Sequence, residues 1–210
     1  MVMKVLLLNG SPNEKGCTCT ALEEIANELT KEGVESEIFH IGTAPIRGCI
    51  ACNACKRTES GHCVFDDDVV NRVIDKITEC DALVAGSPVY YAGISGQMKA
   101  LMDRAFYAGE GYPNKLGASV VSCRRGGGSA AFDQMNHYFT IRSMHIVSSQ
   151  YWNQVHGFTP DDVRRDLEGL QTMRTLARNM AWLLKCIDAG RKSGVAPPQY
   201  EAWEPTHFIR

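Results

Sequence analysis

The chain has 210 residues, 44% hydrophobic and 22% charged, enough to bury a core without disulfide or metal staples. Its net charge of −2 excludes the uniformly basic field of a nucleic-acid binder, and no apolar run approaches the ~18 residues of a membrane span. Nine cysteines behind a start that does not read as a signal peptide fit reduced thiols or a metal site in the cytoplasm better than extracellular disulfides.

Met3 to Leu8 is an apolar run broken only by Lys4 and closed by Asn9-Gly10-Ser11-Pro12, which predicts a strand buried on both faces of a parallel sheet. From Thr18 to Lys31, Ala21, Leu22, Ile25, Ala26 and Leu29 recur at helical spacing, and Gly33 ends the helix. Val34 to Ile41 alternates as a second strand. After a long irregular stretch, Asp66 to Glu79 reads as a helix, with Asp66, Asp67 and Asp68 placed to suit its exposed amides and dipole. Ala82 to Ala85 is a third strand closed by Gly86-Ser87-Pro88. A helix over Ser95 to Phe106, a fourth strand over Ala118 to Ser122 and a helix over Ser129 to Thr140 follow. His145 to Ser149 is the fifth strand. Thr159 to Asp162 then opens a long helix reaching about Ile187, with Trp182, Leu183 and Leu184 in its buried stripe. This alternation implies an α/β fold, a doubly wound five-stranded parallel sheet with helices on both faces. Residues 1–190 make the domain, 42–65 a Cys-rich insertion, and 191–210 an extended tail.

Ligands of such sheets bind beyond the carboxyl ends of the strands. Three of those ends carry unusual loops. Gly10 to Thr20 leads small and hydroxyl residues into a helix start that favours a phosphate, yet lacks both the Lys-Ser/Thr of a nucleotide P-loop and a dinucleotide fingerprint. Gly86 to Ser95 sets Tyr90 and Tyr91 between glycines, a face for a planar ring. Ser122 to Ser129 joins Arg124 and Arg125 to three glycines that allow close backbone approach. A phosphate loop, a ring loop and a Gly-rich loop on one edge describe a flavin mononucleotide site.

Residues 42–65 are too long for an ordinary connection and hold Cys49-x2-Cys52-x2-Cys55-x7-Cys63. Soft thiolates at this spacing leave three readings open: an iron-sulfur cluster, zinc in a four-thiolate site, or free and structural thiols. Cys80 and Cys186 read as small core residues, and His62 as facing solvent. Cys17 and Cys19 at a helix start, and Cys123 beside two arginines, sit where thiol pKa values fall, although structural packing is the simpler account. None has arginine six residues on, as a phosphatase loop needs; Glu23, Ile25 and Ser129 stand there. The six histidines show no metal-binding pattern, while Tyr151, Trp152 and His156 follow the fifth strand at the ligand edge or a subunit contact.

Four segments, LLLNGSP…GCT, GCIACNACKRTESGHCVFDDDV, AGSPVYYAGISGQMKALMDR and SCRRGGG, make the chain similar to the flavodoxin-like NAD(P)H-dependent FMN reductases, and among them to the iron-sulfur flavoproteins. The resemblance runs from the start to about residue 187. It implies strand order 2-1-3-4-5, noncovalent FMN, NAD(P)H as co-substrate, and a homodimer or homotetramer that engages neither nucleic acid nor membrane. It puts Ser11, Asn13, Thr18, Cys19 and Thr20 around the phosphate. It lays Pro88, Val89, Tyr90 and Tyr91 along the isoalloxazine, and Arg124, Arg125, Gly126, Gly127 and Gly128 near its pyrimidine edge. It makes Cys49, Cys52, Cys55 and Cys63 the ligands of a 4Fe-4S cluster. The family pattern usually has Arg where Asn13 stands and Asn where Cys17 stands, so a fixed charge beside the phosphate is missing here. The activity implied is an oxidoreductase passing electrons from NAD(P)H through flavin to a quinone, flavin, metal or protein, with no side chain as essential acid or base. A noncatalytic electron carrier is the alternative, against which the near-neutral charge argues.

Overall fold

The computed structural model describes residues 3–208; Met1 and Val2 of the expected domain, and Ile209 and Arg210 of the expected tail, lie outside the described residues. The chain runs β1 (Lys4–Asn9), α1 (Cys17–Lys31), β2 (Glu35–His40), α2 (Ala54–Thr58), α3 (Val70–Glu79), β3 (Ala82–Tyr90), β4 (Gly93–Ile94) and α4 (Gly96–Ala108). It continues through β5 (Leu116–Cys123), α5 (Gly128–Ile141), β6 (His145–Ile146), β7 (Gln154–His156), α6 (Pro160–Arg165) and α7 (Leu167–Lys192). The parallel strands lie in the order β2-β1-β3-β5-β6, the expected 2-1-3-4-5 path once the small antiparallel β4 is set aside. This is the flavodoxin-like fold.

Two apolar layers sandwich the sheet because alternate residues of each buried strand face opposite sides. Leu6 and Leu8 join Val73, Ile77, Leu101 and Phe106 on the face covered by α3, α4 and α5. Val5 and Leu7 join Leu22, Ile25, Leu176 and Met180 on the face covered by α1, α6 and α7. No described helix is long and apolar enough to cross a membrane.

Several expected boundaries move for identifiable reasons. The third strand does not close at Gly86-Ser87-Pro88 but runs on to Tyr90 and folds back onto β4. The register pairs Asn9 with Gly86 and Pro88 with Ser122, so proline sits where β1 has ended and one side of β3 is an edge. The fifth strand is split: β6 pairs with the start of β5, the chain leaves after Val147, and β7 returns to pair with Val121 to Cys123. The final helix is also two. Asp166 leaves the helical region at ψ 77° and its carboxylate caps α7 by accepting from Gly169 N–H at 3.0 Å. Helix α3 begins at Val70, later than the aspartates; Asp68 accepts from its first amide at 3.0 Å, and its other oxygen is used elsewhere.

On α7 the buried stripe is Met173, Leu176, Ala177, Met180, Ala181 and Leu184. Trp182 therefore points outward, 64% exposed, because three successive residues cannot share one helical face. Cys186, two residues past Leu184, is exposed for the same reason, whereas Cys80 is buried as expected.

Ion pairs fasten the outer helix and the edge strand. Glu28 on α1 is almost wholly buried and accepts from Lys31 at 2.8 Å and from Arg178 of α7 at 2.7 Å. Lys31 and Arg178 hold the Glu28 carboxyl below its ordinary value, and Lys76, helped by Lys4, does the same for Glu37 on β2. A lowered folded-state pKa adds stability that is present above the unfolded value and disappears as pH falls through the folded one. Thermal unfolding midpoints should therefore drop as pH is lowered through and below the usual glutamate value of 4.5, and Glu28→Gln should show a smaller acid-induced drop. An equal drop in the variant would remove Glu28 from the explanation.

Candidate functional site

The three loops predicted from sequence converge at the carboxyl end of the sheet. The first is built from inside by Asn9, buried at the end of β1. Its Oδ1 accepts from Ser11 N–H at 3.1 Å and its Nδ2 donates to the Glu14 carbonyl at 2.9 Å, so one side chain shapes the turn. Gly10 N–H donates to the Gly86 carbonyl at 2.8 Å, and the Gly10 carbonyl accepts from Ser95 Oγ at 2.7 Å. Ser95 also caps α4, accepting from Met98 N–H, while its own amide donates to Ser87 Oγ at 3.0 Å. First loop, second loop and α4 are thus bolted at one point.

Helix α1 begins after Gly16, which supplies no capping side chain. The amides of Cys17, Thr18 and Cys19 have no intrahelical acceptor by helix geometry, and together with the dipole they make an anion seat. Ser11 Oγ accepts from Asn13 N–H at 3.1 Å, so its hydroxyl proton can still be donated outward; Asn13 is exposed beside it. Thr18, buried, shares a 2.8 Å hydrogen bond with Ser122 at the end of β5, which ties the first loop to the third. Thr20 donates back to the Gly16 carbonyl at 3.2 Å. The hydroxyls of Thr18 and Thr20 are therefore engaged within the chain, and what this turn offers a phosphate is chiefly backbone.

Burial overrides the helix dipole at the nearby thiols. It raises Cys17 and Cys123 above the ordinary value, and burial with Glu23 alongside pushes Cys19 to about 11. All three are packing residues at neutral pH, not activated nucleophiles.

On the second loop, Pro88 and Val89 are half-buried, Tyr90 is partly exposed, and Tyr91 stands fully exposed at a positive φ of 53°. Gly127 of the third loop packs under it: a Cβ there would lie 2.9 Å from Val89 Cγ1, and its φ of 87° suits glycine. Arg124, Arg125, Gly126 and Gly127 are exposed along that edge, and Gly128, buried, lies against the Gln154 amide. Tyr151 and Trp152 form a tilted pair with centroids 5.4 Å apart, lining a neighbouring cleft with His156, Asp166 and Ser129. An anion seat, an exposed aromatic shelf and a Gly-Arg edge lie at the same end of the sheet, a donor set whose chemistry fits FMN.

The cysteine insertion packs on the α3–α4 side of the sheet. All nine cysteines are free thiols, and Cys49, Cys52, Cys55 and Cys63 line a single pocket with Ile50, Val64, Phe65 and Tyr107. Among the described residues no three metal-binding side chains are gathered closely enough to hold a metal ion. Four soft thiols lining one pocket are the donor type that an iron-sulfur cluster or zinc requires. Ala51 and Asn53 adopt positive φ of 53° and 55° between the cysteines, at about 1–3 kcal/mol each. One result is that Ala51 N–H points at Cys49 Sγ, 3.4 Å away. His62, expected in solvent, is half-buried and pairs with Asp75 at 2.7 Å.

Four residues that organise these sites were not singled out from sequence: Asn9, Ser95, Asn71 and Arg104. Arg104 carried a signal. It falls within one helical step of Leu101 and Ala108 on the apolar stripe of α4, where a charge must be paired.

A profile of the NADPH-dependent FMN reductase family matches residues 3–159. An iron-sulfur flavoprotein of Methanocaldococcus jannaschii is 36% identical over 194 residues, covering 88% of this chain and 99% of that protein. Another, from Methanosarcina thermophila, is 30% identical over 195 residues, covering 90% and 99%. Among solved structures, a flavone reductase superposes with a TM-score of 0.68 at 15% identity, covering 89% of this chain and 64% of that one. A flavodoxin from the domain Archaea superposes at 0.59 with 16% identity, covering 87% and 99%. The structural matches share the fold; the family profile spans the site loops and the cysteine insertion as well. Several of its sequence relatives are named iron-sulfur flavoproteins, and the chain belongs to the NADPH-dependent FMN reductase family of FMN-binding flavoprotein oxidoreductases.

Proposed function

We propose that the protein is an FMN-dependent oxidoreductase that takes electrons from NAD(P)H and delivers them, by way of a 4Fe-4S cluster in the cysteine insertion, to a quinone, flavin, metal or protein acceptor. The observation that carries this reading is helix α4. Its first turn is bolted to the flavin loops through Ser95 and Gly10, and Gln97 Nε2 donates to the Ala44 carbonyl at the start of the insertion. Further along, Arg104 and Tyr107 grip the cysteine loop itself, Tyr107 Oη donating to Asn53 at 2.7 Å. Ser95 and Arg104 are nine residues apart, ~14 Å along the axis at about 1.5 Å per residue. One rigid element therefore sets the spacing of two redox sites.

Ser11 and the first-turn amides of α1 would hold the FMN phosphate, Tyr90 and Tyr91 the ring, and Arg124 to Gly128 its polar edge. Cys49, Cys52, Cys55 and Cys63 would hold the cluster. Flavin accepts hydride from a nicotinamide and an iron-sulfur cluster exchanges single electrons, so the pair joins two-electron to one-electron chemistry. The chain's own task is to orient both groups and keep their distance constant.

Anaerobically purified protein should contain one FMN and about four irons per chain, with flavin absorption near ~450 nm over a broad brown shoulder. NADPH or NADH should bleach both. Flavin without iron would remove the cluster; full cofactors reduced by ferredoxin but by neither nicotinamide would turn the assignment to an electron carrier.

A further inference from the structure

Arg104 is among the most buried side chains of the molecule, 1% exposed, yet it carries a full charge. Its guanidinium spends every edge on the cysteine insertion and the turn that follows it. Nε donates to Cys63 Sγ at 3.2 Å, Nη2 to the Phe65 carbonyl at 3.0 Å, and Nη1 to the Arg47 carbonyl at 3.2 Å and to the Asp68 carboxylate. Cys63 is held from the other side by Asn71 of α3, whose amide accepts from Cys63 N–H at 2.8 Å and donates to its carbonyl at 2.9 Å. Backbone and sulfur of Cys63 are thus fixed by two different helices. Cys49 and Cys52, by contrast, lie exposed at the rim.

A clamp meant only to close the loop would need the carbonyls of Arg47 and Phe65 and the Asp68 carboxylate. The Nε–H aimed at sulfur is surplus to that task, and lysine, with one compact charge, could not reproduce the planar fork. We propose that Arg104 is a positioning residue for the cluster: it presents Cys63 Sγ to the ring of thiols and keeps an N–H donor and a fixed positive charge against that sulfur. The proposal rests on the reading of Cys49, Cys52, Cys55 and Cys63 as cluster ligands. One added electron makes a thiolate-bound cluster more negative. A donor and a cation beside a ligating sulfur therefore stabilise the reduced form more than the oxidised form and raise the reduction potential.

The test is anaerobic spectroelectrochemistry with iron and FMN analysis on the full-length protein. Wild type is compared with Asp68→Asn, Arg104→Lys and the double variant Arg104→Gln/Asp68→Asn, in which no buried carboxylate is left alone. Iron in wild type tests the cluster assignment; the potentials test Arg104. Relative to Asp68→Asn, the double variant should show a cluster potential at least tenfold less favourable to reduction, about 59 mV lower for a one-electron couple. Arg104→Lys should shift the same way by less, with FMN content unchanged in all. Loss of iron from an Arg104 variant that retains FMN, while Asp68→Asn retains both, also supports the placement of Cys63. If the double variant does not fold, the lysine variant decides. Iron-replete wild type and Arg104 variants that share one potential, or an equal change in Asp68→Asn alone, would overturn the proposal.

Discussion

An Arg104→Met variant is expected to lose about 3–5 kcal/mol of folding stability in urea unfolding of the FMN-bound protein, because it leaves a buried carboxylate without its partner. The Asp68 side chain is almost as buried as that of Arg104. The Arg47 carbonyl loses its Arg104 donor as well, at about 1–3 kcal/mol if it stays buried and unpaired, whereas the Phe65 carbonyl keeps Asn71 Nδ2 at 3.2 Å. A double variant, Arg104→Met/Asp68→Leu, separates the two contributions. Removing both charges should restore a large part of the loss, since an apolar pair can replace a buried ion pair at little net cost. The Arg47 carbonyl would still lack its Arg104 donor, so full recovery is not expected. A single-variant loss under about 1 kcal/mol would show that the insertion relaxes and water reaches Asp68.

The architecture was legible because its elements obey strong local rules. Leu6-Leu7-Leu8 has no polar face, which only a strand covered on both sides satisfies, and the stripe on α1 has one period and one stop. Where the reading failed, a tertiary partner decided the outcome. Pro88 reads as a strand terminator in isolation; it is tolerated because β1 stops two residues earlier in register. The split fifth strand has no local signature, since β6 and β7 are each too short to show alternation and exist only as partners of β5. Asp166, inside the span that reads as one long helix, is simultaneously the break after α6 and the cap of α7.

For the site, loop positions were legible and side-chain duties were not. Turn-rich strand ends marked the three loops, and thiol spacing marked the insertion. The hydroxyl of Thr18, however, faces Ser122, a residue 104 positions away that no local pattern connects to it. The thiols of Cys17, Cys19 and Cys123 invite an activation argument from the helix start and the arginines, but Cys19 and Cys123 are buried, Cys17 is partly so, and desolvation raises all three. Arg104 is the opposite case: its place on the apolar stripe of α4 is a local clue to a paired buried charge, but its partners lie 36 to 57 positions away.

Gly10 offers the sharpest test of the flavin site, and its substitution by alanine should weaken FMN binding at least tenfold. A Cβ at this position would lie 2.8 Å from the Gly86 carbonyl oxygen and 2.8 Å from Met98 Sδ, inside van der Waals contact on two sides. Neither neighbour can yield freely. Gly86 is fixed in β3 and receives the Gly10 amide, and Met98 is fully buried in α4. The Gly10 backbone itself is held by Ser95. The strain must therefore part the end of β1 from the end of β3, at about 1–3 kcal/mol for overpacking. That opening moves the turn which carries Ser11 and leads to the amides of α1. A phosphate seat made mostly of backbone has no flexible side chain with which to compensate. Fluorescence titration of apoprotein with FMN measures the effect directly, and circular dichroism confirms that the variant is folded. A folded Gly10→Ala protein that binds FMN within twofold of wild type would place the phosphate elsewhere, and the first loop would then be a structural brace for α4.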